Sequence, residues 1–362
     1  LFVPSLTFSQ ANTVRVCTYN LLQFGDDDID RADEFRLILN EISPSILVVQ
    51  ELASADSTKG YALFRDSVAA LLQTPLVGLF HSDTTSGIQL GIFVDTAKLE
   101  ILDFSWAKQQ SVTRATTFAS VLVKGTTDTL VVFGGHWKAG QGDDDESDRE
   151  RAAGAISTLV QSIKSGQILR GRAVGRTNFI MAGDLNVYSA SEGAYRAITD
   201  GFIPSFPGFH DPIDRPGDWN NNPAFADIHT QSTRTTQRGG GASGGLDDRF
   251  DQILVSDSLL DNVRAISYTA FGNDGNHFND SINAMPNTAV SPEIAQALHD
   301  ASDHLPVYVD FVFQRTTSVE SAPSIDLRHL DLTVDHRLFP EASPQLAHLI
   351  QSGDEVNPTR CP

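Results

Sequence analysis

The sequence predicts an α+β chain in which β-sheets pack face to face and helices cover the outside. Eight short runs rich in Val, Ile and Phe, each bounded by turn residues, read as buried strands: 14–19, 46–49, 91–94, 118–123, 130–134, 178–182, 252–255 and 307–313. Three stretches, 32–42, 61–72 and 149–163, carry apolar residues at helical spacing. Helices are too few to alternate strictly with the strands, which favours packed sheets over one doubly wound parallel sheet. With 362 residues, 40% of them hydrophobic and 20% charged, the chain has enough apolar surface to bury a sizeable core. No apolar run reaches about 18 residues, so stable insertion of a helix into a membrane is not expected.

Taken in order, residues 1–12 read as the trailing part of an export segment or as a disordered arm. The first strand carries Cys17 as a small buried hydrophobe; a bridge to the other cysteine, Cys361, is not expected. It ends at Tyr19-Asn20, where the Asn either caps a turn or offers a ligand oxygen. The strand at 46–49 runs directly into Gln50-Glu51. A carboxylate at the end of an apolar strand needs a neutralising partner, and a metal ion or an arginine would serve.

The strand at 130–134 leads into Gly134-Gly135-His136-Trp137-Lys138. His136 and Lys138 are two apart and share a side if the strand continues, and both can donate hydrogen bonds to phosphate oxygens. A purely structural histidine is the plainer alternative. The strand at 178–182 ends at Gly183-Asp184-Leu185-Asn186. An extended backbone places Asp184 and Asn186 on one face, their oxygens suit a hard cation, and Gly183 permits a close backbone approach. The last strand is preceded by Ser302-Asp303-His304-Leu305-Pro306, pairing a carboxylate with a base that titrates near neutrality. Each cluster sits at a strand end, where a rigid scaffold presents side chains to a common cleft.

Four segments are less eloquent. Residues 202–246, rich in Pro, Gly, Asn and Asp, read as a surface excursion near the site mouth or as a plain flexible loop. The acid runs Asp26-Asp27-Asp28 and Asp143-Asp144-Asp145 read as solvated loops, with a structural Ca²⁺ clip as the alternative, although neither has EF-hand spacing. Residues 316–362 form a polar, weakly patterned extension of unassigned role.

Acidic residues outnumber basic ones 46 to 26, for a net charge of −20, and the basic ones are mostly arginine. Such a field repels polyanions and argues against passive nucleic-acid binding through a basic surface, yet a bound cation inverts the sign locally. The apolar start and arginine bias together point to secretion or the periplasm.

The order Asn20, Glu51, His136, Asp184/Asn186, Asp303/His304 resembles that of the endonuclease/exonuclease/phosphatase family, the DNase-I-like superfamily. Arg249-Phe250-Asp251-Gln252-Ile253-Leu254 is similar to the family segment whose Asp orients the last His, and Arg114 resembles an arginine that grips substrate phosphate. The likeness spans residues 13–315. It implies a four-layer α/β/β/α sandwich of two mixed sheets, with a phosphoesterase site at one end. It further implies Mg²⁺ or Mn²⁺ on Glu51 with Asn20 and Asp303, or on Asp184 and Asn186, depending on whether one or two ions bind. His304, held by Asp251, would deprotonate water, a task some members give to the counterpart of Asp184; His136 would donate to the phosphate or leaving oxygen. Arg114, Asn186 and Lys138 would contact phosphate. The expected substrate is a phosphate ester, DNA or RNA first, with phospholipid headgroups and small phosphomonoesters as alternatives and the chain acting as a monomer. A non-catalytic binding protein is the rival class, disfavoured because each key position is filled. Two departures stand out: the Glu that pairs with the middle His in nuclease members has no visible counterpart, and Trp137 is bulkier than the usual aliphatic residue.

Overall fold

Among the described residues, two six-stranded mixed sheets are stacked on each other with a shared apolar core between them. In chain order the strands are β1 (Ala11–Phe24), β2 (Ile46–Ala53), β3 (Val77–Phe80), β4 (Ile88–Val94), β5 (Leu99–Ala107) and β6 (Thr116–Val123). There follow β7 (Thr129–His136), β8 (Phe179–Asp184), β9 (Phe209–His210), β10 (Asp251–Ser256), β11 (Thr269–Ala270) and β12 (Val307–Gln314). The helices are α1 (Ala32–Ile42), α2 (Lys59–Ser67), α3 (Asp143–Lys164), α4 (Gly193–Asp200) and α5 (Pro292–Ala301). The computed structural model describes residues 11–25, 29–53, 59–82, 88–109, 112–166, 178–201, 207–264 and 267–315. The arm at residues 1–10, the acid run 26–28, Cys361 and the extension from 316 onward lie outside the described residues.

The first sheet has the order β11-β12-β1-β2-β4-β3 and the second β5-β6-β7-β8-β10-β9. Each has one parallel pair at its centre, β1 with β2 and β7 with β8. Period-2 alternation splits the strand residues between two cores. Val14, Val16, Ile46, Val48 and Val94 of the first sheet pack against Val121, Val132, Ile180, Ala182 and Ile253 of the second. The intervening Cys17, Tyr19, Leu47 and Val49 turn outward to Phe35, Ile38 and Leu298 on the helices. Both faces are covered, which is why these strands appear in the sequence as continuous apolar runs. Cys17 is buried and unpaired.

All eight expected strands are present, and the 32–42 helix begins and ends where its periodicity does. The expected helix at 61–72 breaks after Ser67, whose hydroxyl bonds back to the Leu63 carbonyl; a separate 3₁₀ turn follows at Ala69–Leu71. The run Asp143-Asp144-Asp145 is not a loop or a Ca²⁺ clip but the first turn of α3, where the positive end of the helix dipole favours acids. Residues 207–246 are a surface excursion only in part: 235–240 are exposed, whereas Trp219, His229, Thr230, Ser232 and Thr233 turn inward and are buried. This inward course is held by a largely buried, two-pronged ion pair, Arg249 Nη1 to Asp211 Oδ2 at 2.7 Å and Nη2 to Oδ1 at 3.0 Å.

Arg249 lies two residues before Asp251, so the pair also fixes the start of β10. Removing one partner leaves a charge buried and unmatched, so Arg249→Ala should cost about 3–5 kcal/mol. Replacing both partners with apolar residues should recover part of that loss. A urea midpoint unchanged in Arg249→Ala would contradict this.

Candidate active site

The inward-facing columns of both sheets change from apolar to polar at the same rim. On β7, β8 and β10 the columns run through Val132, Ile180/Ala182 and Val255/Ile253 and end at His136, Asp184 and Asp251. These three are direct register partners, His136 beside Asp184 and Asp184 beside Asp251, so their side chains share one face. On β1 the column Val14–Val16 ends at Asn20, opposite Gln50 of β2.

Glu51 reaches this rim by breaking the alternation. It follows the outward residues Leu47 and Val49, so a regular strand would aim it at the helices. A register shift between Val49 and Leu52, with Glu51 in the left-handed region at φ 61°, turns the carboxylate toward Asn20. Its Oε1 accepts from Asn20 Nδ2 at 3.2 Å and its Oε2 from the Gln23 amide at 2.9 Å.

Asp184 Oδ2 is the hub. Asn20 Nδ2 donates to it at 3.0 Å, His136 Nε2 lies 3.4 Å away and His304 Nε2 3.9 Å away. His136 Nε2 is also 3.7 Å from Glu51 Oε1. His304 Nδ1 meets Asp251 Oδ2 at 2.7 Å. Its Nε2 is 2.6 Å from the side-chain amide of Gln231, a residue the sequence did not single out; with both His304 nitrogens protonated, the amide must turn its oxygen there to accept. Segment 230–233 lies between the two chain stretches that carry this pair: Thr230 Oγ1 accepts from the Asp251 amide, and the Leu305 amide donates to the Thr230 carbonyl. Only the three-dimensional pairing reveals Gln231.

The remaining expected residues divide. Arg114 comes to the rim and donates to the carbonyls of Trp137 at 2.6 Å and His136 at 3.4 Å. Asn186 is buried beside Asp184, but not through strand alternation: β8 stops at Asp184, Asn186 has φ 51°, and its Nδ2 donates to the Trp137 carbonyl. Asp303 is buried, with Oδ2 accepting from the Ala242 amide at 2.6 Å. Lys138 is a correction. β7 ends at His136, so the alternation that would have brought Lys138 alongside is lost; its Nζ instead meets Asp145 Oδ1 at 2.8 Å on the surface. Gly183 permits a close approach, and what approaches is the backbone of Gly135 on β7, which a Cβ would strike.

Burial pushes the Glu51 carboxyl up, against the pull of the His304 charge and the Asn20 hydrogen bond. Burial likewise raises the Asp184 carboxyl well above its ordinary value, only partly offset by His304. Burial, reinforced by Arg114 and His304, keeps His136 neutral. Burial opposes charge on His304 as well, but the Asp251 and Asp303 carboxylates outweigh it and lift its pKa well above 6.5.

Two carboxyls strained toward protonation by burial, with an amide beside them, are a donor set that suits a hard oxygen-seeking cation. Glu51 is the natural anchor. Asn20, as placed, turns its NH₂ to the carboxylates and its oxygen to the Leu22 amide, so ligation through that oxygen requires the side-chain amide to rotate. Among the described residues no three His, Cys, Asp or Glu side chains close into a full cage. Mg²⁺ commonly takes one or two carboxylates and fills its sphere with water and phosphate oxygens, so the set still fits.

No protein-family model matches the sequence, and no curated protein does. Solved structures do match the fold. An endonuclease/exonuclease/phosphatase family protein from Bacteroides thetaiotaomicron is 18% identical with a TM-score of 0.52, over 85% of this chain and 97% of that one. D. rerio TDP2, complexed with a single-strand DNA product, is 17% identical with a TM-score of 0.52, over 83% of this chain and 98% of that one. TDP2 from C. elegans is 14% identical with a TM-score of 0.52, over 83% and 75%. The chain has the DNase-I-like fold that its motif order implied.

A raised Asp184 carboxyl binds its proton more tightly in the folded than in the unfolded chain. Its contribution to stability is therefore present in acid and lost as pH rises from the ordinary carboxylate range toward neutral. In EDTA, the urea midpoint should fall between about pH 5 and about pH 7.5, and Asp184→Asn should flatten that fall. Equal slopes in the two proteins would contradict the assignment.

Proposed function

We propose that this chain is a divalent-metal-dependent phosphoesterase that hydrolyses phosphodiesters of nucleic acid. The observation that carries the reading is the convergence on Asp184 Oδ2, at the end of β8, of Asn20 from β1, His136 from the end of β7 and His304 from just before β12, within 3.0–3.9 Å. A structural polar cluster needs fewer ionisable groups and would not crowd the Glu51, Asp184, Asp251 and Asp303 carboxyls around His304 and Arg114.

Mg²⁺ or Mn²⁺ held by Glu51, with Asn20 and Asp303 at hand, would neutralise phosphate charge and support the charge that develops on the ester oxygens. Asp184, a buried carboxyl raised toward neutrality, is the better acceptor for a proton from water. His304 keeps its own proton through Asp251, so it serves as a charged donor to a phosphoryl oxygen rather than as the base. This gives water activation to the residue that the family resemblance offered as the alternative. His136, neutral, presents an N–H to the phosphate or the departing oxygen. Arg114 holds the His136–Trp137 turn through its carbonyls and adds positive charge facing Asp184 and Glu51.

Nucleic acid is favoured over other phosphate esters because a structural neighbour, D. rerio TDP2, was solved with a single-strand DNA product. Plasmid DNA, RNA, sphingomyelin and p-nitrophenyl phosphate, each assayed with Mg²⁺ or Mn²⁺, would separate the substrate classes.

Glu51→Ala and His304→Ala should each lower turnover of the substrate so found by about two orders of magnitude or more, and EDTA should silence the wild type until metal is restored. Lys138→Ala, whose charge is spent on a surface pair, should stay within about twofold of wild type. Near-normal turnover in Glu51→Ala, or activity indifferent to EDTA, would remove the proposal.

A further inference from the structure

Arg31, in the turn that opens α1, is buried at 6% exposure. Its guanidinium lies over the rings of Phe24 and Phe35, 5.6 and 5.7 Å from their centroids. Nη1 donates to the Leu21 carbonyl at 3.0 Å and to the Ala301 carbonyl at 2.6 Å, and Nη2 donates to the Leu22 carbonyl at 2.9 Å. The two rings hold the plane of the fork, and the fork holds three carbonyls from stretches far apart in the chain.

Two of these carbonyls are the back ends of peptides whose front ends face the rim. A trans peptide is planar, with its carbonyl and its N–H pointing opposite ways. The peptide that gives its carbonyl at Leu21 gives its N–H at Leu22, which donates to Asn20 Oδ1 at 3.0 Å. The peptide that gives its carbonyl at Leu22 gives its N–H at Gln23, which donates to Glu51 Oε2 at 2.9 Å. Leu22 and Gln23 both lie in the left-handed region, each at φ 48°, so this turn needs outside contacts to persist. The third carbonyl, of Ala301, ends α5 and is followed directly by Ser302-Asp303-His304. Ser302 adds a tie between the same two stretches, its hydroxyl donating to the Asn20 carbonyl at 2.7 Å.

We propose that Arg31 is a positioning residue for the cation at the rim. Through the two peptides of the Leu21–Gln23 turn it orients Asn20 and Glu51, and through Ala301 it sets their spacing from Asp303. The cation rests on the phosphoesterase reading; the hydrogen-bonded relay does not. Groups that hold a metal's ligands in place commonly account for about 10–100-fold in its affinity. Lysine is no substitute, because one ammonium nitrogen cannot span the three carbonyls as a fork of fixed geometry does.

The test is a titration of the full chain with Mn²⁺, with the free ion read by its paramagnetic resonance signal. The wild type should bind Mn²⁺ at a site that Glu51→Ala removes. Arg31→Lys should weaken that binding about tenfold or more, and Arg31→Met at least as much. Should Arg31→Met fail to fold, the lysine variant decides. Arg15→Ala serves as the comparison: Arg15, nearer the start of β1, pairs in two prongs with Asp310 and bonds the Ile42 carbonyl. Its loss should lower the urea midpoint while Mn²⁺ affinity stays within about twofold. Wild-type affinity in Arg31→Lys, or an equal fall in Arg15→Ala, would overturn the inference while leaving the metal site in place. Mn²⁺ binding that ignores Glu51 would sink the metal-dependent reading, and this inference with it.

Discussion

Everything at the rim depends on the burial of charge where four apolar columns end. Alternation along β1 of one sheet and β7, β8 and β10 of the other delivers Asn20, His136, Asp184 and Asp251 to the same rim, at the ends of columns that hold Val16, Val132, Ala182 and Ile253. The same alternation would send Glu51 the wrong way, and the bulge that corrects it places a glutamate in a backbone region that L-residues seldom adopt. Strain of that kind persists only where surrounding contacts over-determine it. Here the Asn20 side chain and the Gln23 amide hold both carboxylate oxygens.

Burial sets the protonation of each group by a different route. His136 loses its charge because water is excluded and two cations lie close. His304 keeps its charge because Asp251 bonds it directly and Asp303 adds to the field. The two imidazoles are therefore opposite in character although both are buried. Glu51 and Asp184, between them, carry the excess negative charge that a divalent cation would relieve. The global charge of −20 bears on approach to the site, not on its interior.

Much of this was legible in the sequence, and the failures have identifiable causes. Strands buried on both faces announce themselves as apolar runs, so β1, β2, β4, β6, β7, β8, β10 and β12 were visible. β5 was not, because a register shift between Ile101 and Asp103 breaks its alternation midway. The two-residue strands β9 and β11 are too short to show a period. α5 carried a readable start, Ser291 capping the Ile294 amide with Pro292 in the first turn, yet its ten residues fell inside a segment dominated by turn residues. Site residues at strand ends were found because a polar residue after an apolar run is conspicuous. Lys138 shares a side with His136 only if the strand continues, and β7 ends at His136. Gln231 was hidden because its importance comes from a pairing with His304 across 73 positions, which no local pattern encodes.

The convergence of both sheet ends on one cation-binding rim is most directly tested by paramagnetic broadening in the ¹⁵N-histidine spectrum. Sub-stoichiometric Mn²⁺ should broaden His136 and His304 together and affect His210, which pairs with Val255 toward the other end of β10 from Asp251, far less. Broadening of His210 with His136 and His304 untouched would contradict a shared site at this rim.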